Sequence, residues 1–299
     1  MVRWIRLTAV LVALALWGPA RADLTMTYIY YRDVGDIELR NQYFWRMLQA
    51  ALEQTRDRWG DYVLEPSIGM NEKRRIHVLE NNERSINVSM FPSQRGLDDK
   101  LVPVRIPIDR GMLGYRVFLI RQSEQPQFDT VKSLEDLKKF SFGLLDGWED
   151  VPIMRSAGFT VIAGSSYEGL FKMLSAGRFD AFNRSSNEVV QEYDVRKKDL
   201  PGVVIEKHLL LHYTMPAYFW FPNTEEGRNR AERVRTGLAE MIQNGRFQAL
   251  FDQEFGQIIK RLDMDHRMVI ELPNPLLGEE DPLADPALWY RPADHAAPR

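Results

Sequence analysis

The sequence predicts an α/β protein of two lobes, the second inserted into the first, with a double hinge between them. Three observations carry this reading. From Leu24 onward, strand-like and helix-like runs alternate, the pattern of a sheet with helices on its faces. Near Ser133 the pattern restarts as a self-contained α/β unit. Beyond that unit, strand-like runs and long helices return and complete the first.

The elements follow in order. Leu24 to Tyr31 is rich in β-branched and aromatic residues and reads as a strand, ended by Asp33, Gly35 and Asp36. Ile37 to Trp59 carries Phe44, Met47, Leu48 and Leu52 at helical spacing. Tyr62 to Leu64 is a short strand closed by Pro66, Asn71 to Leu79 a helix, and Ser85 to Met90 an alternating strand. Leu101 to Ile108 and Tyr115 to Ile120 are further strands. In the second unit, three capping boxes start at Ser133, Ser165 and Ser185, each with an acid three residues on, and each opens a helix. Strands at Phe142 to Leu145, Phe159 to Ala163 and Phe179 to Phe182 lie between them, with a further helix at Asp150 to Ala157. Val203 to Tyr213 and Met215 to Phe221 are again strands. Thr224 to Asn244 is a long amphipathic helix, and Arg246 to Arg261 reads as two shorter ones. The last 29 residues hold 6 of the 16 prolines and form an extended tail, either loose or pinned by Trp289 and Tyr290.

Composition narrows the function classes. Basic residues number 39 and acidic residues 42, a net charge of −3, which argues against nucleic acid held by bulk charge. Cysteine is absent, which excludes disulfide scaffolds, thiolate-bound zinc, iron–sulfur clusters and thiol catalysis. The first 22 residues read as an export signal: Arg3 and Arg6, an 11-residue apolar run from Leu7 to Trp17, and a small-residue site at Ala20-Arg21-Ala22. Cleavage after Ala22 leaves a mature chain from Asp23 in the periplasm; the competing reading is an uncleaved anchor. No later stretch reaches 18 apolar residues. The expected division is therefore a signal at 1–22, a first lobe at 23–117 and 214–270, a second lobe at 118–213, and a tail at 271–299.

Four segments resemble one family. They are INVSMFPSQR (Ile86 to Arg95), GMLGYRVFLIR (Gly111 to Arg121), VKSLEDLKKFSFGLLDGWED (Val131 to Asp150) and YEGLFKMLSAGRFDAF (Tyr167 to Phe182). In this order the chain resembles the family 3 extracellular solute-binding proteins, the amino-acid-type periplasmic binding proteins of type II fold. The resemblance runs from about Leu24 to Leu262. It implies capture of a small polar ligand, anionic or amino-acid-like, between two lobes that close about a hinge. Delivery would be to an ABC permease or a membrane sensor by a monomer that needs no cofactor and no metal.

The resemblance also implies site residues. Arg95 stands where the family clamps a ligand carboxylate, and a guanidinium fork suits that group; the alternative is a solvated loop arginine. Trp148 follows the Gly143-x-x-x-Gly147 turn where small hydroxyl residues are usual, either walling the cleft or packing in the core. Ser185 occupies the position of the family's ammonium-binding Asp and is preceded by Arg184. A hydroxyl beside a cation at a helix N-terminus favours an anion; the alternative is Arg184 paired with Glu188. Tyr31, Tyr30 or Phe91 would place an aromatic ring against the ligand; the alternative is that they are buried core aromatics.

Other signals point elsewhere. His208 and His212 are four apart, but in a strand-like run without the acid that a zinc motif needs. Glu149 and Asp150 would suit a cleft enzyme of the kind found in periplasmic cyclohexadienyl dehydratases, which resemble this family. A cleft carboxylate with a raised pKa would mark that alternative. A ligand-free regulatory module is the third reading.

Overall fold

The computed structural model describes residues 25–32, 36–278, 281 and 285–292. The expected signal segment and cleavage site lie outside these residues. Among the described residues, no helix is long and apolar enough to cross a membrane.

The chain is a mixed α/β protein. Its first lobe opens with β1 (Met26–Tyr31), α1 (Asp36–Gln54), α2 (Arg56–Trp59) and β2 (Tyr62–Ser67). β1 and β2 pair in parallel. β2 continues through Pro66 because, among the described residues, its only strand partner is β1, so the missing N–H costs no second ladder. α3 (Glu72–Glu80) and β3 (Ser89–Pro92) follow. β3 starts four residues later than the alternation at Ser85 suggests, and Val88 makes only a bridge to Tyr30. β4 (Leu101–Val104) completes the first pass through this lobe.

β5 (Tyr115–Arg121) leads into the second unit. There follow α4 (Gln125–Phe128), α5 (Leu134–Leu137), β6 (Ser141–Leu145), α6 (Asp150–Ser156), β7 (Thr160–Gly164), α7 (Tyr167–Ser175), β8 (Ala181–Ser185), α8 (Ser186–Arg196), β9 (Val203–Ile205) and β10 (Leu209–His212). Ser133 caps α5 as its box requires, accepting from the Asp136 N–H at 3.1 Å. The second box is displaced by one residue. Ser166, not Ser165, caps α7, and Glu168 turns outward to Arg196 at 2.6 Å. The third box fails at its side chains: Ser185 makes no capping bond, because Glu188 is drawn to Arg184. The expected strand from Val203 to Tyr213 splits into β9 and β10. The buried Glu206 carboxylate accepts the N–H groups of His208 (2.6 Å) and Leu209 (2.8 Å) and turns the chain there.

The chain then returns as β11 (Ala217–Pro222), α9 (Glu225–Gln243), α10 (Arg246–Leu262) and β12 (Met268–Glu271). β11 is the central strand of the antiparallel sheet β3-β11-β4. α10 is one helix rather than two, since Phe247, Phe251 and Phe255 recur every four residues on its buried face. β12 pairs in parallel with β10, so Met268–Ile270 lies in the sheet of the second lobe and not in the first, where the expected boundary put it. That seven-stranded sheet has the order β12-β10-β5-β8-β6-β7, with β9 also on β5.

The two crossings between lobes run side by side. Tyr115 and Arg116 pair with His212 and Leu211, and the Tyr213 N–H donates to the Gly114 carbonyl at 3.2 Å. A Cβ at Gly114 would be driven into the Tyr213 carbonyl, a backbone atom with nowhere to move. The tail is pinned over this place. Trp289 lies against Gly111, Tyr290 N–H donates to the Arg110 carbonyl (2.8 Å), and Tyr115 Oη donates to the Tyr290 carbonyl (3.0 Å).

Gly114→Ala is therefore expected to cost about 2–3 kcal/mol, read as a lower urea midpoint at unchanged slope. Gly256→Ala, where a Cβ meets open space in the middle of α10, is expected to gain about 0.5–1 kcal/mol in the same titration.

Candidate functional site

Polar contacts gather at strand and helix ends where Gln94 meets both Glu72 and Glu149. From the first lobe come the end of β1, the start of α3 and the loop after β3. From the second come the loop after β6, the start of α6 and the end of β8. Ligands in such folds sit outside the carboxyl ends of strands.

Tyr31, at the end of β1, is 1% exposed. Its ring makes an edge contact with Trp45 and carries the Arg75 guanidinium 3.9 Å above its centroid. Arg75 also donates to the Met90 carbonyl at 3.0 Å and lies 3.9 Å from Glu72. Gln94, in the loop after β3, donates from Nε2 to Glu72 (3.1 Å) and to Glu149. Glu149 belongs to the second lobe, so this bond crosses between lobes. Burial, then the nearby charges of Glu72 and Asp150, push the Glu149 carboxyl from 4.5 up to about 8.

Asp150, the first residue of α6, is enclosed by the second lobe. It lies 3.1 Å from Arg116 on β5, and accepts from Asn183 (3.2 Å) and from the buried Tyr213 hydroxyl. Burial holds that phenol well above its ordinary pKa, so it stays protonated and keeps donating. Arg116 sits among apolar strand residues because Asp150 meets it there.

Arg184 is placed against its expected role. It is 4% exposed, and its Nε and Nη2 donate to Glu192 (2.6 Å each), with Nη2 also on Glu188 (2.8 Å). Burial alone would weaken its charge. Glu188 and Glu192 offset this and hold its pKa above the ordinary arginine value. Two carboxylates already meet the cation, so the expected anion site at Arg184 is corrected. Trp148 takes part in the same stack: the Arg184 guanidinium lies 4.5 Å over its ring, and Phe182 stacks on it. It is half-buried. Ser185 is fully buried and its hydroxyl donates to Asn187.

Phe91 is also corrected. It is 1% exposed, stacks on Trp220 at 5.3 Å, and accepts the Trp220 Nε1–H at its carbonyl, so it belongs to the first lobe's core. Arg95 is exposed; its backbone N–H donates to the Leu276 carbonyl of the tail (2.8 Å).

Among solved structures, the chain is similar to an ancestral arginine-binding protein bound to arginine, at 16% identity over 77% of this chain and 98% of that one (TM-score 0.52). It is similar to the GluR0 ligand-binding core from Nostoc punctiforme in complex with L-glutamate, at 15% identity over 77% and 99% (TM-score 0.51). It is also similar to a protein of the Streptococcus mutans glutathione-import system involving GshT and the cystine ABC importer TcyBC, at 11% identity over 78% and 96% (TM-score 0.52). This is the two-lobed fold of the periplasmic binding proteins. No family model and no curated protein matches the chain.

On this binding-protein fold, sequence reasoning missed Glu72, Arg75 and Gln94. Gln94 stands next to Arg95 in the quoted loop, and its neighbour's charge drew the attention. Arg75 sits on a helix with little amphipathic signal. A cavity of about 340 Å³ lies at the hinge between Tyr115, His212, Glu271 and Tyr290, away from this polar layer.

Arg184→Met is expected to cost about 3–5 kcal/mol, because it leaves Glu192 buried without its cation. Glu192 then prefers its proton in the folded state, so the deficit relative to the unaltered protein shrinks as pH falls from 8 to 5. Chemical denaturation at three pH values measures this; an equal deficit at all of them would contradict the pairing.

Proposed function

We propose that this chain is an exported, periplasmic solute-binding protein that captures a small amino-acid-like molecule between its lobes, for uptake or sensing. The observation that supports it most is the lobe-to-lobe hydrogen bond from Gln94 to Glu149 inside a polar layer, on a fold that closes about two crossings. The arginine and glutamate held by the similar structures agree with a ligand of this class. A ligand favours the closed state by touching both lobes at once. Arg75 and Gln94 on one side, and Trp148 and Glu149 on the other, are the proposed contacts, with Arg95 at the rim. An acidic ligand loses its main support, since Arg184 is neutralised within its own lobe. The partner would be an ABC permease or a membrane sensor.

A second reading, a cleft enzyme, has one observation in its favour. Glu149 has its pKa pushed to about 8, in the range of a general acid or base at neutral pH. The two readings separate on what happens to the bound molecule: a binding protein releases it unchanged, and an enzyme converts it at a rate that Glu149→Gln abolishes.

The test is a thermal-shift screen of the chain from Asp23 against amino acids, dicarboxylates, short acidic peptides and organic phosphates. A ligand at 100 times its Kd stabilises the fold by about 2.7 kcal/mol, a shift of several degrees. An amino acid is expected to produce it, and Gln94→Leu to weaken its binding at least tenfold by calorimetry. Silence across the whole panel would overturn the solute-binding reading.

A further inference from the structure

The Gln94 amide nitrogen has two hydrogens, and the structure uses both on carboxylates. One goes to Glu72 of its own lobe at 3.1 Å, the other to Glu149 of the facing lobe. A neutral amide thus joins two acids across the lobe boundary. The charges around Glu149 do not cancel this. Glu72 faces it from α3 and Asp150 adjoins it on α6, both negative. The cation facing it, Arg116 on β5, lies 3.1 Å from Asp150 and is shared with that carboxylate. Arg75 approaches Glu72 only to 3.9 Å and donates its closer bond to the Met90 carbonyl. With both acids ionised, two like charges face each other through one amide in a half-buried place. With Glu149 protonated, the repulsion is gone.

We propose that Glu72, Gln94 and Glu149 form a proton-dependent latch, which holds the lobes together while Glu149 keeps its proton and releases them when that proton leaves. The inference rests on the hinged two-lobe reading and not on any ligand. Burial and the Glu72 charge act in the required direction, raising the Glu149 carboxyl from 4.5 to about 8. A group that binds its proton more tightly in the closed state favours closure below that pH. The advantage is lost as pH rises through about 8.

The absence of cysteine makes the experiment clean. Ile68→Cys in the first lobe (73% exposed) and Glu135→Cys in the second (side chain 78% exposed) accept one spin label each. Inter-label distances are measured on the ligand-free chain from pH 6 to pH 10, with circular dichroism at each step to confirm that it is folded. The expected result is a short distance at pH 6 that lengthens with a midpoint near pH 8. Glu149→Gln, neutral at every pH, keeps the short distance throughout, and Glu72→Gln shrinks the opening. A distance that ignores pH in the unaltered chain, or the same opening in Glu149→Gln, overturns the latch. Neither result touches the ligand screen, and a silent screen leaves the distances to be read on their own.

Discussion

Everything in this molecule turns on how closely its two chain crossings approach. At Gly114 and Tyr213 the backbones are hydrogen-bonded to each other, with no room for a side chain between them. That contact sets the first residues of β5 and the last of β10 in register, and so ties two inner strands of the second lobe's sheet to the path by which the chain leaves it. The polar layer lies beyond this point, where Arg116 and Tyr213, one from each crossing, converge on Asp150. The hinge and the site are thus parts of one local arrangement: the side chains that follow the crossings are those that close the second lobe's face.

That lobe manages its buried charge internally. Arg116 is answered by Asp150, Arg184 by Glu188 and Glu192, and Arg267 by Glu206 and two carbonyls. Desolvated ions of this kind persist only when paired, so the cations of this lobe hold its own fold together before they can hold anything else. The first lobe differs. Arg75 rests on a ring and a carbonyl, and Gln94 reaches out of its lobe altogether. Such lightly committed groups can exchange partners at small cost.

Much of the fold was legible because its signals are local. Ser133 and its acid, the four-residue recurrence of Phe247, Phe251 and Phe255, and the glycine turn at Gly147 each act within one element. What misled were places where an acidic group took a partner other than the one its local pattern offers. Glu168 left its helix start for Arg196, and Glu188 left its box for Arg184. Glu206 broke a strand that composition alone would continue. The site was legible only in part for the same reason. Trp148 is half-buried, whereas Tyr31 and Phe91 are packed inside and Arg184 is paired with Glu188 and Glu192. Glu72 and Gln94 matter through each other and through Glu149, a relation over seventy residues that no short window contains.

The tail gives the molecule a further property. After β12 it passes Asn274 to the Thr214 carbonyl, offers its Leu276 carbonyl to Arg95, and lodges Asp281 between Ser93 and Tyr218 before Trp289 and Tyr290 reach the crossings. It therefore starts in one body and ends on the other by a separate route. Two adjacent strands leave a pair of rigid bodies free to bend and also to twist about their common axis. The tail adds a third connection, seated on the crossings by Trp289 and Tyr290, that the two strands alone do not supply.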